Sequence, residues 1–386
     1  MALLAALAAA LVRTLMHARG GASETEAATA EGPDEATATA LPGRAASPGS
    51  LTVLVPAYNE AAFVGDTIRS LQEQTRPPDE VIIIDDFSDD GTGDVARALG
   101  VRVVRPPANT GSKAGAQNFA LPLVETDLVM AVDADTSLAP DAIERLLPAL
   151  DEPGVAAACG YVLPRRVRSI CERGRYIEYL FAFSFGKQVQ DYFAKPMISS
   201  GCFSAYRVSV LREVGGWSTR TLAEDMDLTW TLYRLGHRVR FVPAAVSYPL
   251  EPQTFRLMGK QLRRWSHGFL QNVRLHWRGL LRFGYLRSLL AVALWDSIVA
   301  SLAYIVVFPV LAIAFSPIFL AGYLIDAPAV LVPALVGAAR RRETRKALAS
   351  YPCFFVLRMF NAAVMLRAVW AEAVLRRSFN VYEKGH

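Results

Sequence analysis

The chain has 386 residues, of which 52% are hydrophobic, and a mean hydropathy of +0.24. This length accommodates one domain of about 200 to 250 residues with additional elements, and the hydrophobic share excludes an ordinary soluble domain alone, so part of the chain is expected in lipid. The net charge of +5 is uneven, because the 44 residues between Glu251 and Asp296 contain eight Lys or Arg and no acid. This stretch indicates interfacial helices on anionic membrane lipid, and no base-reading motif accompanies it that would favour nucleic acid.

The first fifty residues differ in character from the rest. Residues 1–16 form a short hydrophobic segment, below the ~20 residues that span a bilayer, which leaves a clipped membrane helix, an interfacial anchor or a signal-like segment. Residues 17–50 are rich in Ala, Gly, Glu, Thr and Pro and predict a disordered linker. The four cysteines show no metal-ligand spacing with the five histidines and indicate reduced cytosolic thiols.

Strands and helices alternate from Leu51 onward. The patterns predict strands at 51–55, 80–84, 101–104, 128–132 and 155–162, and helices at 60–74, 93–99, 112–124 and 140–150. This alternation predicts an α/β fold with a mostly parallel sheet, in which ligands bind beyond the carboxyl ends of the strands. Three of those ends carry polar stretches: PAYNE (56–60), DDFSDDGTG (85–93) and DAD (133–135).

One glycine motif favours a different interpretation. Gly91-Thr-Gly93-Asp-Val-Ala96 matches the GxGxxA pattern of dinucleotide-binding proteins. That motif requires its glycines directly after a strand, whereas six mostly acidic residues follow Ile84. We therefore interpret these glycines as a turn and a helix start.

Three apolar runs follow residue 285, at 289–315, 317–338 and 351–375. The first two are long enough to cross a bilayer. The third contains charged residues, so it either lies in the interface or packs as a polar-faced helix. The basic loop 340–346 is expected on the cytoplasmic side, and two crossings place the preceding domain there as well.

The acidic stretch 133–135 predicts a metal site. Asp133 and Asp135 follow the five apolar residues 128–132, and two carboxylates at a strand end suit Mg²⁺ or Mn²⁺, which binds one or two carboxylates together with substrate phosphates. Taken alone, acids in a turn or at a helix cap explain this pattern equally well.

The polar motifs together resemble a known family. PAYNE, DDFSDDGT, GSKAGAQN (111–118), DAD, AED (223–225) and QLRRW (261–265) occur in the order and approximate spacing of family 2 glycosyltransferases with the GT-A fold. The chain resembles the membrane-embedded processive synthases of chitin, hyaluronan, cellulose and poly-N-acetylglucosamine over roughly residues 51–285, with a similar membrane tail.

The resemblance implies a domain order for the whole chain. It comprises a nucleotide-sugar-binding catalytic domain, interfacial amphipathic helices carrying QxxRW, transmembrane helices, and a basic loop with a C-terminal membrane-associated helix. The implied ranges are 51–250, 251–287, 288–339 and 340–386, respectively.

For the nucleotide, the resemblance implies that Ala57, Tyr58 and Glu60 line the pocket and that Asp86, together with Asp85, reads the uracil imide. The alternative for the two aspartates is a cluster that caps the next helix.

For the diphosphate, the resemblance implies Lys113 as the nearby cation, with Asp133 and Asp135 holding the metal. A solvated helix residue is the alternative for Lys113. The small-residue stretch 199–207 resembles a strand on the acceptor side of the family's site. Either close approach of another chain or simple core packing explains Gly201 there.

For the chemistry, the resemblance implies Asp225 as general base with Glu224 beside it; ordinary acids at a helix start are the alternative. Ala223 stands where the family usually has threonine. Gln261, Arg264 and Trp265 are implied to hold the acceptor and the leaving group, although a tryptophan near a membrane also serves as an interface anchor.

These features imply an inverting, metal-dependent β-glycosyltransferase in the cell inner membrane. It would transfer a sugar from a UDP-sugar donor to a growing polysaccharide at the cytoplasmic face, and the resemblance alone implies N-acetylglucosamine or glucose as that sugar. Two alternatives remain open: transfer of one sugar to a lipid-linked acceptor, and a catalytically inactive membrane scaffold. A homo-oligomer or an export partner is also left open.

Overall fold

The computed structural model describes residues 49–375 except 281 and 326. The predictions for residues 1–16 and for nearly all of the 17–50 linker lie outside the described residues, as does the end of the chain beyond residue 375.

Eight strands form one mixed sheet in the order β3-β2-β1-β4-β7-β6-β8-β5. Four of its seven strand pairs are parallel: β1 with β2, β1 with β4, β2 with β3, and β6 with β8. β7 runs antiparallel to both of its neighbours, and the short β5 and the long β8 were not predicted from the pattern. The strands are β1 Leu51–Ala57, β2 Glu80–Asp85, β3 Arg102–Val104, β4 Leu128–Val132, β5 Thr136–Leu138, β6 Val155–Val162, β7 Phe203–Arg207 and β8 Arg238–Pro249.

Helices cover both faces of the sheet, so the predicted α/β architecture is confirmed. Successive residues of β1 point to opposite faces of the sheet. Leu54 packs with the helices Lys113–Ala120 and Glu224–Arg234, whereas Val53 and Val55 pack with the helices Val64–Gln72 and Ala142–Leu146. The helices are α1 Val64–Gln72, α2 Thr92–Ala98, α3 Lys113–Ala120, α4 Ala142–Leu146, α5 Ile170–Phe181, α6 Lys187–Tyr192, α7 Val208–Glu213, α8 Glu224–Arg234, α9 Phe255–Leu280, α10 Gly284–Leu294, α11 Phe308–Ala314, α12 Ala327–Arg340 and α13 Thr344–Val369.

The first helix begins four residues later than the pattern predicts. Asn59 adopts a positive φ of 54°, and the Glu60 amide donates to the Thr92 hydroxyl at 2.8 Å. These residues therefore form a turn at the carboxyl end of β1 that leaves the side chains of PAYNE at the sheet edge.

Gly160 lets β6 pack closely in the middle of the sheet. A Cβ there would overlap the ring of Phe203 and lie 2.7 Å from the Ala245 carbonyl oxygen. We expect Gly160→Ala to lower the free energy of unfolding by about 1–3 kcal/mol, because both neighbours are buried. Gly186→Ala is the matched control, since no atom lies within 4 Å of its added methyl group. Equal thermal stability of the two variants would contradict this packing argument.

In the described part of the chain, three helical segments are long and apolar enough to cross a membrane: Gly284–Ala314, Pro317–Arg340 and Thr344–Val374. We refer to them as spans 1, 2 and 3. Two crossings were expected and the third run was undecided; by length and composition it belongs with the other two. Span 3 packs on α5 where Gly174 lacks a side chain, since a Cβ there would lie 2.9 Å from the Cys353 carbonyl oxygen.

Candidate active site

A cavity of about 910 Å³ lies at the carboxyl ends of β1 and β4 and extends to α9. Twelve of the thirteen residues predicted for the site line it: Ala57, Tyr58, Glu60, Asp86, Lys113, Asp133, Asp135, Glu224, Asp225, Gln261, Arg264 and Trp265. These residues lie up to about 200 positions apart in the chain, so the fold collects them in one place. Asp85 does not line the cavity.

The two aspartates at the end of β2 have different surroundings. Asp86 accepts hydrogen bonds from the Thr110 amide at 2.8 Å and the Thr110 hydroxyl at 2.9 Å, which fix its carboxylate at the cavity wall. Asp85 is buried and bonds Arg105 at 2.7 Å and the Ser88 amide at 2.9 Å, so it holds the loop together. Neither aspartate caps α2, because Asp90 accepts the hydrogen bond from the Thr92 amide.

Lys113, Gly201 and Asp225 form a connected polar chain across the cavity. The Lys113 ammonium contacts an oxygen of Asp133 and donates to the Gly201 carbonyl at 2.8 Å. The Gly201 amide donates to Asp225 Oδ2 at 2.9 Å. A Cβ at Gly201 would lie 3.1 Å from both the Lys113 and the Asp225 side chains, so these two side chains are the groups that closely approach the glycine backbone. Lys113 is therefore a buried, paired cation rather than a solvated helix residue.

Glu224 and Asp225 begin α8, and their environments differ. Burial, followed by the negative charge of Asp225, raises the pKa of Glu224 above its ordinary value, while Lys113 and Arg264 oppose this shift. Asp225 is held by the Gly201 amide and by the amide of the next residue at 2.8 Å. Ala223, at the position before the helix, makes no side-chain capping bond. The two adjacent carboxyl groups therefore differ: Glu224 has a raised pKa, whereas Asp225 is oriented by two backbone amides.

Helix α9 is attached directly to the segment that precedes these acids. Gly268 lies so close to Ala223 that a Cβ on the glycine would be 2.7 Å from the alanine Cβ. The Asn272 amide group donates to the Ala223 carbonyl at 3.0 Å, and Gln271 accepts from the Leu222 amide at 3.0 Å. A small residue at position 223 therefore allows α9, with Gln261, Arg264 and Trp265, to approach the start of α8.

Similarity to known proteins agrees with this geometry. Residues 52–215 match the model of Glycosyl transferase family 2. Residues 52–215 therefore form a family 2 glycosyltransferase domain.

Two curated relatives each match just over half of the chain. The protein named "Probable glycosyltransferase YdaM" of Bacillus subtilis is 29% identical over 229 residues, which cover 56% of this chain and 54% of that protein. Poly-beta-1,6-N-acetyl-D-glucosamine synthase of Staphylococcus epidermidis is 30% identical over 223 residues, again covering 56% and 54%. The chain thus spans about half the length of the curated relatives it matches.

A solved structure extends the likeness of fold beyond residues 52–215. The mannosyltransferase PcManGT of Pyrobaculum calidifontis, in complex with GDP-Man and Mn²⁺, superposes with a TM-score of 0.55 at 20% identity. The match covers 85% of this chain and 89% of that one. The predicted GT-A-like fold is confirmed, and among the described residues it is followed by helical segments that are long and apolar enough to cross a membrane.

The glycosyltransferase domain offers carboxylate oxygens but no complete metal site of its own. Among residues 49–375, apart from 281 and 326, no group of three or more His, Cys, Asp or Glu side chains is arranged to hold an ion. Asp133 and Asp135 both line the cavity and supply two hard oxygen donors. This donor set fits Mg²⁺ or Mn²⁺ if a bound diphosphate provides further ligands.

Two features of the site were not found from the sequence. Arg175 of α5 lines the cavity and contacts Gln261 and Trp265. The cavity also continues between spans 1 and 3, where Asp296 and Arg358 form an ion pair. No local pattern indicates either feature, because the partners lie 62 or more positions apart.

A buried ionic cluster joins α8 to α9 behind the acids. Asp227 accepts two hydrogen bonds from Arg220, each at 2.7 Å, and one from His276 at 2.5 Å. Burial alone would raise the pKa of Asp227, but the bonds from His276 and Arg220 outweigh it and lower this pKa to about 2.

A carboxyl group with a lowered pKa stabilises the fold above its ordinary pKa of 3.8, and this stability is lost as the pH falls toward 2. We therefore expect Asp227→Asn to lower the free energy of unfolding by ~2 kcal/mol at pH 7. The difference from wild type should shrink between pH 4 and pH 2 in denaturant titrations. Asp94→Asn, which removes an exposed ion pair, is the control and should cost well under ~1 kcal/mol. A gap for Asp227→Asn that is independent of pH would contradict the expected linkage.

Proposed function

We propose that this chain is an inverting, metal-dependent β-glycosyltransferase that transfers a sugar from a nucleotide-sugar donor to a saccharide acceptor at the cytoplasmic membrane face. The observation that supports it most strongly is the single cavity lined by Asp133, Lys113, Asp225 and Arg264. A cation-rich wall beside a carboxylate base is what displacement of a nucleoside diphosphate by an alcohol requires.

In this proposal, Asp225 is the general base. Its carboxylate accepts the proton of the acceptor hydroxyl while the acceptor oxygen bonds to the anomeric carbon and the bond from that carbon to the diphosphate breaks. The hydrogen bond from the Gly201 amide fixes the orientation of Asp225. Glu224 keeps a proton to a higher pH than an ordinary carboxyl group, which limits the negative charge beside the base.

The leaving diphosphate is stabilised by positive groups. Lys113 and Arg264 line the cavity and supply two cations. Asp133 and Asp135 would hold Mg²⁺ or Mn²⁺, which would neutralise charge on the diphosphate. The Mn²⁺ in the mannosyltransferase complex supports the use of a divalent ion, although the likeness to that protein concerns the fold.

The donor in this proposal is UDP-N-acetylglucosamine or UDP-glucose. Asp86, held by Thr110, would accept from the imide N–H of uracil, and Tyr58 and Glu60 would line the same pocket. The synthase relative of Staphylococcus epidermidis supports N-acetylglucosamine as the sugar.

Repeated addition to a growing polysaccharide is supported by the acceptor side of the cavity. Trp265 offers a half-exposed ring for stacking on a sugar. The lining then continues past Ser297 and Ser301 of span 1 and Asn361 of span 3, which gives hydroxyl and amide groups along a path toward the membrane.

Transfer of one sugar to a lipid-linked acceptor is the second candidate. The same continuation of the cavity between spans 1 and 3 favours it, because Ala362 and Met365 also line the wall there and suit an acyl or prenyl chain. The basic loop 340–346 between spans 2 and 3 supports a cytoplasmic site in both cases.

A product assay distinguishes these possibilities. Membranes containing the protein are supplied with radiolabelled UDP-N-acetylglucosamine, UDP-glucose or GDP-mannose and Mn²⁺ or Mg²⁺. Label in a long, water-soluble polymer supports the polysaccharide synthase, and label of fixed size that extracts into organic solvent supports the lipid-linked acceptor. Absence of transfer with every donor would refute the proposed function and favour the inactive scaffold.

A further inference from the structure

Arg175 lies at the centre of a buried cluster that borders the acceptor side of the cavity. It is 3% exposed and belongs to α5, which begins with a capping box between Ser169 and Glu172. The preceding glycine, Gly174, lets span 3 pack against this helix. Arg175 is therefore carried by a helix whose first turn is capped and whose face at Gly174 packs against span 3.

Two buried carboxyl groups face this guanidinium. Arg175 Nη1 donates to Glu178 Oε2 at 2.6 Å, and its Nε lies 3.4 Å from Glu251 Oε2. Glu251 also accepts from the Tyr179 hydroxyl at 2.7 Å, and Glu178 accepts from Asn361 of span 3 at 2.5 Å. A single cation thus joins the catalytic domain, the segment before α9 and the membrane-associated helices.

Arg175 also contacts two residues of α9 that line the cavity, in addition to Met258 of the same helix and the Tyr179 ring of α5. Nη2 donates to Gln261 Oε1 at 3.1 Å, and the guanidinium carbon lies 4.8 Å from the centroid of the Trp265 ring. A guanidinium presents several donors in one rigid plane and also stacks on aromatic rings, whereas an ammonium is a single point charge. The same planar group therefore contacts both Gln261 and Trp265.

We propose that Arg175 is a positioning residue that holds Gln261 and Trp265 in the orientation that receives the saccharide acceptor. This inference rests on the proposed function. It predicts separate effects on the two substrates, because no hydrogen bond links Arg175 to the donor-side residues Asp86, Lys113 and Asp133. Loss of the planar group should therefore weaken use of the acceptor and leave the donor pocket intact.

The test compares Arg175→Lys with wild type in detergent or nanodiscs. We expect the acceptor KM to rise about tenfold, with the donor KM and the rate of donor hydrolysis without acceptor within about twofold of wild type. In a Gln261→Ala/Trp265→Ala background the same substitution should have little further effect on acceptor KM, because both side chains that it orients are gone.

Arg240→Lys is the matched control. Arg240 also bonds two carboxylates, Glu152 and Asp191, but lies outside the cavity. It should leave the acceptor KM unchanged. Should Arg175→Lys fold poorly, the Arg175→Gln/Glu178→Gln double variant removes the cation together with one carboxylate and keeps the comparison possible.

A second readout is independent of turnover. In protein labelled with 5-fluorotryptophan, the ¹⁹F resonance of Trp265, assigned by its loss in Trp265→Phe, should shift or broaden in Arg175→Lys and stay constant in Arg240→Lys. An unchanged resonance, or donor hydrolysis that falls in parallel with acceptor use, would overturn the positioning role. If wild type turns over no nucleotide sugar, the proposed function fails on its own and the resonance alone decides the role of Arg175.

Discussion

Replacing Asp225 by asparagine is expected to lower kcat for sugar transfer by about 10²–10⁴-fold, because an amide cannot take the proton of the acceptor hydroxyl. Asparagine keeps the size of the side chain and an oxygen that can accept the hydrogen bond from the Gly201 amide. Donor binding, measured by titration with the nucleotide, should therefore stay within a few-fold of wild type. The loss should appear in single-turnover transfer measured at saturating donor and acceptor.

Asp94→Asn provides the matched control for this substitution. Asp94 also lies in the first turn of a helix, α2, but outside the cavity and with its side chain exposed. Its replacement should leave kcat unchanged. If Asp225→Asn retains more than about one tenth of wild-type kcat, another group removes the proton and the proposed role of Asp225 is wrong.

The central part of the fold follows from local patterns. The apolar run of β4 and the alternating helices between β1 and β4 bury their side chains as predicted, because these strands connect through short helical crossovers. β5 has only three residues and β8 contains an interior proline, so neither gives a strong periodic signal. The antiparallel direction of β7 depends on the long helical segment after β6, whose path no local pattern specifies.

The third span shows how tertiary partners change the meaning of a sequence. Arg358, Arg367 and Glu372 left its topology undecided, since isolated charges are costly in lipid. In the structure Arg358 pairs with Asp296 of span 1, and Glu372 lies 2.8 Å from His267 of α9, whereas Arg367 is exposed. The partners of Arg358 and Glu372 are 62 and 105 positions away, so the chain alone cannot reveal these two contacts.

The candidate site was predictable where its residues form motifs at strand ends and helix starts. The DAD stretch and the AED stretch each place an acid at such an end, and both line the cavity. Arg175 belongs to no motif. Its partner Gln261 is 86 positions away, and the residues around an arginine in the sequence do not show whether its side chain is buried. Asp85 was included with Asp86 because the two are adjacent, yet only Asp86 lines the cavity.

Replacing Asp135 by asparagine is expected to lower metal-dependent transfer by at least about 100-fold, because a neutral amide is a much weaker ligand for a hard divalent ion than a carboxylate. Because the described residues form no group of three or more side chains that could hold an ion, the ion and the donor diphosphate should bind together, and each should strengthen binding of the other. Titration of free Mn²⁺ by electron paramagnetic resonance should therefore show tight binding to wild type only with UDP present. Chelation should abolish transfer, and either Mn²⁺ or Mg²⁺ should restore it.

Asp127→Asn separates this effect from a general loss of charge on the same strand. Asp127 precedes β4 at its opposite end, where it accepts from the Ser50 amide at 3.2 Å, and it lies outside the cavity. Its replacement should leave the Mn²⁺ titration and transfer unchanged. Asp133→Asn should resemble Asp135→Asn in the Mn²⁺ titration. It should also lower the affinity for the donor, because it releases Lys113 from its ion pair. Wild-type Mn²⁺ binding in both variants would show that the ion, if one is needed, is held elsewhere, and the assignment of the two aspartates would have to be abandoned.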